Sequence, residues 1–319
     1  MAVFTKLERS DVRTLLGTYD IGELDDFREI SEGIENTNYF LYTRKNGVLT
    51  SWVLTIFENL DANELPYFSD LTQHLAQAGI KVPAPVFSKH EEAIFQLKEK
   101  YGVIVPCLNG KSIASPNEQD CRTVGSWLAR MHVSLKDFDK RRVLVRSLAW
   151  MQAQRDALEP FMSLDEFAVL ESFIARYQNY KPLLDACPQG AVHGDLFRDN
   201  VLFVAGQVTG VIDFYHACDA TLLFDLAVVA NDWAVNVQGQ HQKRLVDALV
   251  VGYQQERTWT TEELDAWPFS LELAALRFWI SRLVSLHVPG YQQQAVSGET
   301  LKNPNEMKAI LLSLQGSQD

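Results

Sequence analysis

The sequence predicts an α+β chain of two lobes, a small β-rich lobe over residues 1–105 and a larger helical lobe over residues 106–319. Three observations lead there. Through the first hundred residues short β-rich runs dominate, with one helical stretch among them. From Pro106 onward the apolar positions recur at helical spacing. Within that helical part, one stretch reverts to two apolar runs around a turn, with polar residues at both ends. A small lobe preceding a large one implies a cleft between them.

Phe27–Ser31 and Tyr39–Thr43 read as short strands around a polar loop, and Ser51–Glu58 as an alternating third strand. Phe68, Leu71, Leu75 and Ala78 mark one face of a helix, with Gly79 placed to cap its end. Lys81–Val86 and Tyr101–Val105 return to extended chain. Ser115, Pro116 and Glu118 then combine a capping box with proline at the first helical position. Val124, Leu128, Met131 and Leu135 continue that helix. Further helical patterns cover Trp150–Tyr177, Leu222–Trp233, Gln240–Gln254 and Leu271–His287.

Composition narrows the partners. With 41 Asp and Glu against 29 Lys and Arg, the net charge is −12. So acidic a chain repels phosphate backbones and anionic membrane surfaces, which argues against nucleic acid or lipid as the main partner. A bound metal can still bring in a nucleotide. The widely spaced Cys107, Cys121, Cys187 and Cys218 fit neither a disulfide framework nor a metal cluster and read as small buried apolar residues. The first residues lack the apolar run of a signal peptide, and the most apolar stretch, Leu222–Ala230, is interrupted by Asp225. A reducing cytoplasm is the expected location.

The chemistry concentrates in residues 191–214. His193 and Asp195 form H-x-D, Asn200 follows Asp195 by five residues, and Asp213 follows Asn200 by thirteen. Val201–Val204 and Val208–Ile212 flank Gly206-Gln207, the composition of a type II′ hairpin turn. A turn centred there pairs position 200 with position 213 and brings an amide oxygen and a carboxylate to one spot beside Asp195. Hard oxygen ligands suit Mg²⁺, which takes few protein ligands together with phosphate oxygens and water. Phosphoryl transfer needs that metal and a carboxylate to orient the attacking hydroxyl. Asp195 is therefore assigned as base, Asn200 and Asp213 as metal ligands, and His193 as a brace for the loop. The plain alternative is an exposed hairpin with solvated ends. Against it, H-x-D-x-x-x-x-N alone arises by chance in only roughly one chain in a hundred.

This stretch resembles the catalytic and metal-binding segments of the aminoglycoside phosphotransferase and choline kinase superfamily, relatives of protein kinases. The resemblance covers nearly the whole chain and is narrower toward the homoserine kinases of that superfamily. M-A-V-F-T, E-G-I-E-N-T-N-Y-F-L, V-L-T-I-F-E, V-G-S-W-L-A-R-M-H, I-D-F-Y-H-A-C-D, F-D-L-A and N-D-W carry it. It implies a two-lobed protein-kinase-like fold, ATP with Mg²⁺ as cofactors, and homoserine as the hydroxyl acceptor. Other small hydroxyl compounds, such as choline, an aminoglycoside or a sugar derivative, stay open as acceptors. So does a pseudokinase that only binds.

One departure motivates that last reading. Protein kinases carry a Lys on the third strand, and here Thr55 stands in its place. The first loop has only Gly33 where a glycine-rich set is usual, so Asn36, Thr37 and Asn38 are expected to donate to the phosphates. Val105 and Cys107 belong to the connector expected to hold the purine. His132 is expected to be structural, and Asp225 to anchor the loop after Asp213 by hydrogen bonds. Tyr215 and Trp233 are candidate walls of the acceptor site. A homoserine carboxylate calls for an arginine. On the helix wheel of residues 271–287, Arg277 shares a sector with Ser281 and Ser285 and is expected to face water. Arg282 falls on the apolar sector, with Asp225 or the substrate carboxylate as its partner, shared in the second case with Arg198.

Overall fold

A computed structural model describes residues 4–30, 36–288 and 302–316. The chain divides into two units, one running to Asn109 and the second beginning at Gly110.

The first unit is built on a five-stranded antiparallel sheet. In chain order its strands are β1 (Glu23–Glu29), β2 (Asn36–Lys45), β3 (Val48–Phe57), β4 (Phe95–Leu97) and β5 (Lys100–Pro106), arranged β1-β2-β3-β5-β4. Alternation selects one face for burial. Tyr39, Leu41, Leu54, Ile56 and Ile104 pack with Val12, Leu15 and Leu16 of helix α1 (Arg9–Leu16). Helix α2 (Leu65–Gln77) ends as expected at Gly79, whose φ of +81° only glycine adopts without strain. Helix α1 and strand β4 lie outside the sequence expectation, and Lys81–Val86 joins no ladder, although the Val86 amide donates to the Ile104 carbonyl at 2.9 Å.

The second unit is helical. Helix α3 (Glu118–Ser134) is capped by Asn117, not Ser115. The Asn117 side chain accepts from the Gln119 and Asp120 amides, and Asp120 closes the box. Asn is among the strongest caps, so it wins over the serine two residues earlier. The single pattern expected over Trp150–Tyr177 is two helices, α4 (Leu148–Leu158) and α5 (Leu164–Ala186), because Pro160 interrupts the ladder and Ser163 caps anew. Helices α6 (Leu222–Trp233), α7 (Lys243–Glu256), α8 (Thr261–His287) and α9 (Pro304–Gln315) follow. Helices α3 and α7 meet at two glycines: a Cβ on Gly125 would lie 2.2 Å from the Leu249 carbonyl oxygen, and one on Gly252 would lie 2.1 Å from that of Arg122.

Helix α8 packs against α4, α5, α6 and α9 and has no broad solvent face. This corrects the expected sectors. Arg277 is buried, 3 % exposed, with its guanidinium 4.0 Å from the Phe278 ring centroid. A helix wheel finds one apolar stripe, and a helix enclosed on several sides buries its serine sector too.

Two short ribbons complete the unit. Strand β6 (Gln189–Val192) pairs with β9 (Cys218–Thr221), and β7 (Val201–Val204) with β8 (Gln207–Val211). The β7–β8 turn is centred on Ala205-Gly206, with φ of 49° and 74°, one residue before the expected centre. Positive φ at both positions makes it the I′ class. An exposed alanine in that region carries strain of roughly 1–2 kcal/mol, which glycine relieves at the cost of a more flexible unfolded chain. Ala205→Gly is expected to stabilise the protein by about 0.5–1 kcal/mol. A urea midpoint that rises with an unchanged slope would show this, and a falling midpoint would contradict it.

Candidate active site

The loop between β6 and β7 carries H-G-D. The Asp225 carboxylate in α6, fully buried, fixes its backbone: Oδ2 accepts from the His193 amide at 2.6 Å and Oδ1 from the Gly194 amide at 2.7 Å. His132 Nε2 lies 3.2 Å from Oδ2. Burial raises this carboxyl, yet the His132 contact and the Gly194 amide draw it the other way, and it lies below the ordinary range. Asp225 thus anchors the loop that carries Asp195, a different loop from the one expected. Gly194 is required there: its φ is +78°, and a Cβ would lie 2.7 Å from the His216 carbonyl oxygen.

His193 braces the same loop, as the sequence indicates. Its Nε2 meets the Ile212 carbonyl at 3.0 Å, and its Nδ1 accepts from the Asp195 amide at 3.2 Å. Burial pushes its pKa down, so the ring is neutral at physiological pH and can accept through Nδ1 while donating through Nε2. One histidine therefore ties the Asp195 loop to the residue preceding Asp213.

Asn200 is nine-tenths buried at the end of the loop. Its Nδ2 donates to the Asp195 carbonyl at 2.9 Å and reaches the carboxylate Oδ2 at 3.4 Å. With the amide nitrogen so engaged, Oδ1 is the end available to a cation. The expected pairing of 200 with 213 is corrected: the Ile212 amide donates to the Asn200 carbonyl at 3.0 Å, and Asp213 stands one residue beyond. The earlier turn shifts the register by two, and a bulge opposite Leu202/Phe203 restores one. Asp213 itself has φ 65° and ψ 60°, left-handed backbone that Asp tolerates better than most residues. Asn200 and Asp213 offer hard oxygens, a donor set that fits Mg²⁺.

The proposed walls of the acceptor site are placed as follows. Tyr215 sits in the 3₁₀ turn Phe214–His216, directly after Asp213, and is partly exposed. Trp233 is core, 1 % exposed, with its ring centroid 5.9 Å from that of Phe203. Arg198 directs its fork at Asp232, with Nε 3.1 Å from Oδ2 and Nη2 3.2 Å from Oδ1, and its amide donates to the same carboxylate at 2.7 Å. Arg282 binds Glu306 at 2.9 Å and the Asn303 carbonyl at 2.7 Å. Its partner is thus a protein carboxylate, Glu306 of α9 instead of Asp225.

In the first unit, strand alternation separates the three expected phosphate donors. Thr37 is fully buried, its hydroxyl donating to Glu58 at 2.7 Å and accepting from the Phe4 amide at 2.9 Å. Asn36 and Asn38 lie on the other face, and Asn38 Oδ1 accepts from the Thr55 hydroxyl at 2.7 Å. Val105 pairs with Val53, and the Cys107 amide donates to the Ser51 carbonyl at 3.2 Å. Gly33 lies outside the described residues.

A family model described as "Phosphotransferase enzyme family" matches residues 26–267. The chain is 37% identical to a homoserine kinase of Neisseria meningitidis serogroup B, over 98% of this chain and 100% of that protein. It is 40% identical to a homoserine kinase of Methylobacillus flagellatus, over 98% of this chain and 94% of that protein. Among solved structures it resembles the amicoumacin kinase hAmiN in complex with AMP-PNP and Ca²⁺, with a TM-score of 0.69, 18% identity, and coverage of 98% and 93% of the two chains. A spectinomycin phosphotransferase in complex with ADP and spectinomycin superposes with a TM-score of 0.66 at 13% identity over 98% and 100%. At such identities the two structures establish the fold, protein-kinase-like and α+β, with the β-rich part first.

Proposed function

The chain belongs to the phosphotransferase enzyme family and within it to the homoserine kinases, and we propose that it transfers the γ-phosphoryl group of ATP to the side-chain hydroxyl of L-homoserine. The observation that carries the reading is a loop bearing Asp195 and Asn200, with Asp213 following strand β8 where the Ile212 amide bonds back to Asn200, in a chain 37–40% identical to homoserine kinases along nearly its whole length. The amicoumacin kinase and the spectinomycin phosphotransferase are far less similar, at 18% and 13% identity.

In this reading Asp195 accepts the acceptor's hydroxyl proton. The only hydrogen bond to its carboxylate among the described residues is the long one from Asn200, which leaves it able to bind a hydroxyl. Asn200 Oδ1 and Asp213 would hold Mg²⁺, which would neutralise phosphate charge. Asn200 does double work, because the amide nitrogen that fixes Asp195 also sets the direction of its oxygen. Tyr215 is kept as a wall of the acceptor site. Arg198 anchors the catalytic loop to Asp232, and Arg282 anchors α8 to α9. The four free cysteines support a reducing compartment, the cytoplasm. No helix among the described residues is long and apolar enough to cross a membrane.

We assign nucleotide binding to the first unit, with Asn36, Asn38 and Thr55 on one sheet face and Val105 and Cys107 at the purine. Thr37 is withdrawn from the phosphates because its hydroxyl is committed to Glu58. Thr55→Ala removes one neutral hydrogen bond, so kcat/KM for ATP is expected to change by under roughly tenfold. A loss of several orders of magnitude would make Thr55 a principal phosphate contact.

A coupled ADP-release assay over homoserine, serine, threonine, choline, methylthioribose and kanamycin tests the acceptor. Homoserine is expected to give the highest kcat/KM. No turnover with homoserine alongside turnover with another acceptor would refute the assignment.

A further inference from the structure

A second set of buried polar groups touches none of the reacting atoms. On the side of Asp225 away from the loop amides, His132 of α3 meets its Oδ2 through Nε2. His132 Nδ1 lies 2.8 Å from the Tyr253 hydroxyl of α7, with the rings edge to face. Tyr253 in turn receives Arg257 Nη1 at 3.4 Å. Arg257 is held by both oxygens of Glu263 in α8, at 2.8 and 3.0 Å, and the Thr260 amide donates to the same carboxylate. Tyr253, Asp225 and Glu263 are 1 %, 0 % and 0 % exposed, and His132 is 4 %. Groups so buried must satisfy one another.

One direction gives every donor in this chain of bonds an acceptor. A guanidinium only donates, so Arg257 donates to the Tyr253 oxygen, and Tyr253 donates its own proton to His132 Nδ1. A neutral imidazole that accepts at Nδ1 must carry its proton on Nε2, which then donates to Asp225. That third donor orients the carboxylate whose two oxygens hold the amides of His193 and Gly194. The glycine contacts between α3 and α7 keep His132 and Tyr253 within hydrogen-bond reach. Burial raises the tyrosine hydroxyl far above its ordinary pKa and keeps its proton in place.

We infer that Tyr253 and Arg257 are positioning residues for phosphoryl transfer, which act through the His132 tautomer and Asp225 on the loop that carries Asp195. The inference rests on Asp195 being the base, and it extends the working parts of the site to α7 and the start of α8. A positioned base that shifts by a fraction of an ångström loses rate without losing affinity for substrates that other groups hold.

Tyr253→Phe keeps the ring and removes the hydroxyl. Per folded enzyme, kcat with homoserine is expected to fall by roughly tenfold, the scale of one lost hydrogen bond to a buried group, with both KM values within about twofold. A lowered melting temperature with kcat within about twofold of wild type would reduce the residues to packing and overturn the inference. Histidine ¹⁵N NMR of the wild-type protein, with His132 assigned by its loss in His132→Asn, provides an independent test. It does not depend on which acceptor the enzyme uses, nor on whether a Tyr253 variant folds. The expected signature is a neutral ring protonated on Nε2, lost or mixed in Tyr253→Phe. A wild-type His132 protonated on Nδ1, whether alone or on both nitrogens, would overturn the inference even if homoserine proves to be the acceptor.

Discussion

Asp195→Asn is expected to lower kcat by roughly 10²–10⁴-fold, the usual consequence of removing a positioned general base. The substitution is nearly isosteric, and the groups that shape the loop bind the backbone of residue 195. His193 Nδ1 accepts from its amide, and Asn200 Nδ2 and the Phe197 amide donate to its carbonyl. The loop should therefore keep its form, nucleotide affinity should barely change, and the loss should fall on kcat. Steady-state kinetics with ATP titrated at saturating homoserine separates these quantities. A near-normal kcat would remove Asp195 from the role.

The second large effect is expected at Asp213, and the backbone decides which substitution is informative. At φ 65° an alanine would add strain to the loss of the carboxylate, whereas asparagine tolerates that conformation. Asp213→Asn is therefore expected to fold and to need far more Mg²⁺ for half-maximal rate. The increase should exceed the roughly 10–100-fold that loss of an outer-shell partner costs in metal affinity. Asp213→Ala is expected to abolish transfer. A Mg²⁺ titration of the Asn variant that overlays wild type would contradict the ligand assignment.

The hairpin that carries the candidate site was legible because its information is local. His193, Asp195, Asn200 and Asp213 lie within 21 residues, and a hairpin returns the chain whichever turn it uses. Their register was not legible to one residue. Gly206 fits either turn class, and nothing in V-T-G announces the bulge that restores half of the shift. The β-rich first part and the helical second part could be told apart because strand and helix periodicities differ. Short elements such as α1 and β4 carry too few residues to display a period. Helix α8 misled for the opposite reason: enclosed by four other helices, it has no polar face for a wheel to find, and Arg277 is buried, as is most of the Arg282 side chain. The links from His132 to Asp225 and Tyr253 span 93 and 121 residues, so no spacing rule could reveal them. Thr37 could have been excluded, because alternation along its strand sets it opposite Asn36 and Asn38.

The central claim is chemical: phosphorus leaves ATP and arrives on the side-chain oxygen of homoserine. Proton-coupled ³¹P NMR of a reaction containing enzyme, ATP, Mg²⁺ and L-homoserine tests it most directly. A phosphomonoester resonance split by the two protons of the adjacent CH₂ is expected, growing as ADP appears and absent with Asp195→Asn over the same time. A spectrum in which ATP persists, or in which ADP is accompanied only by inorganic phosphate, would contradict it.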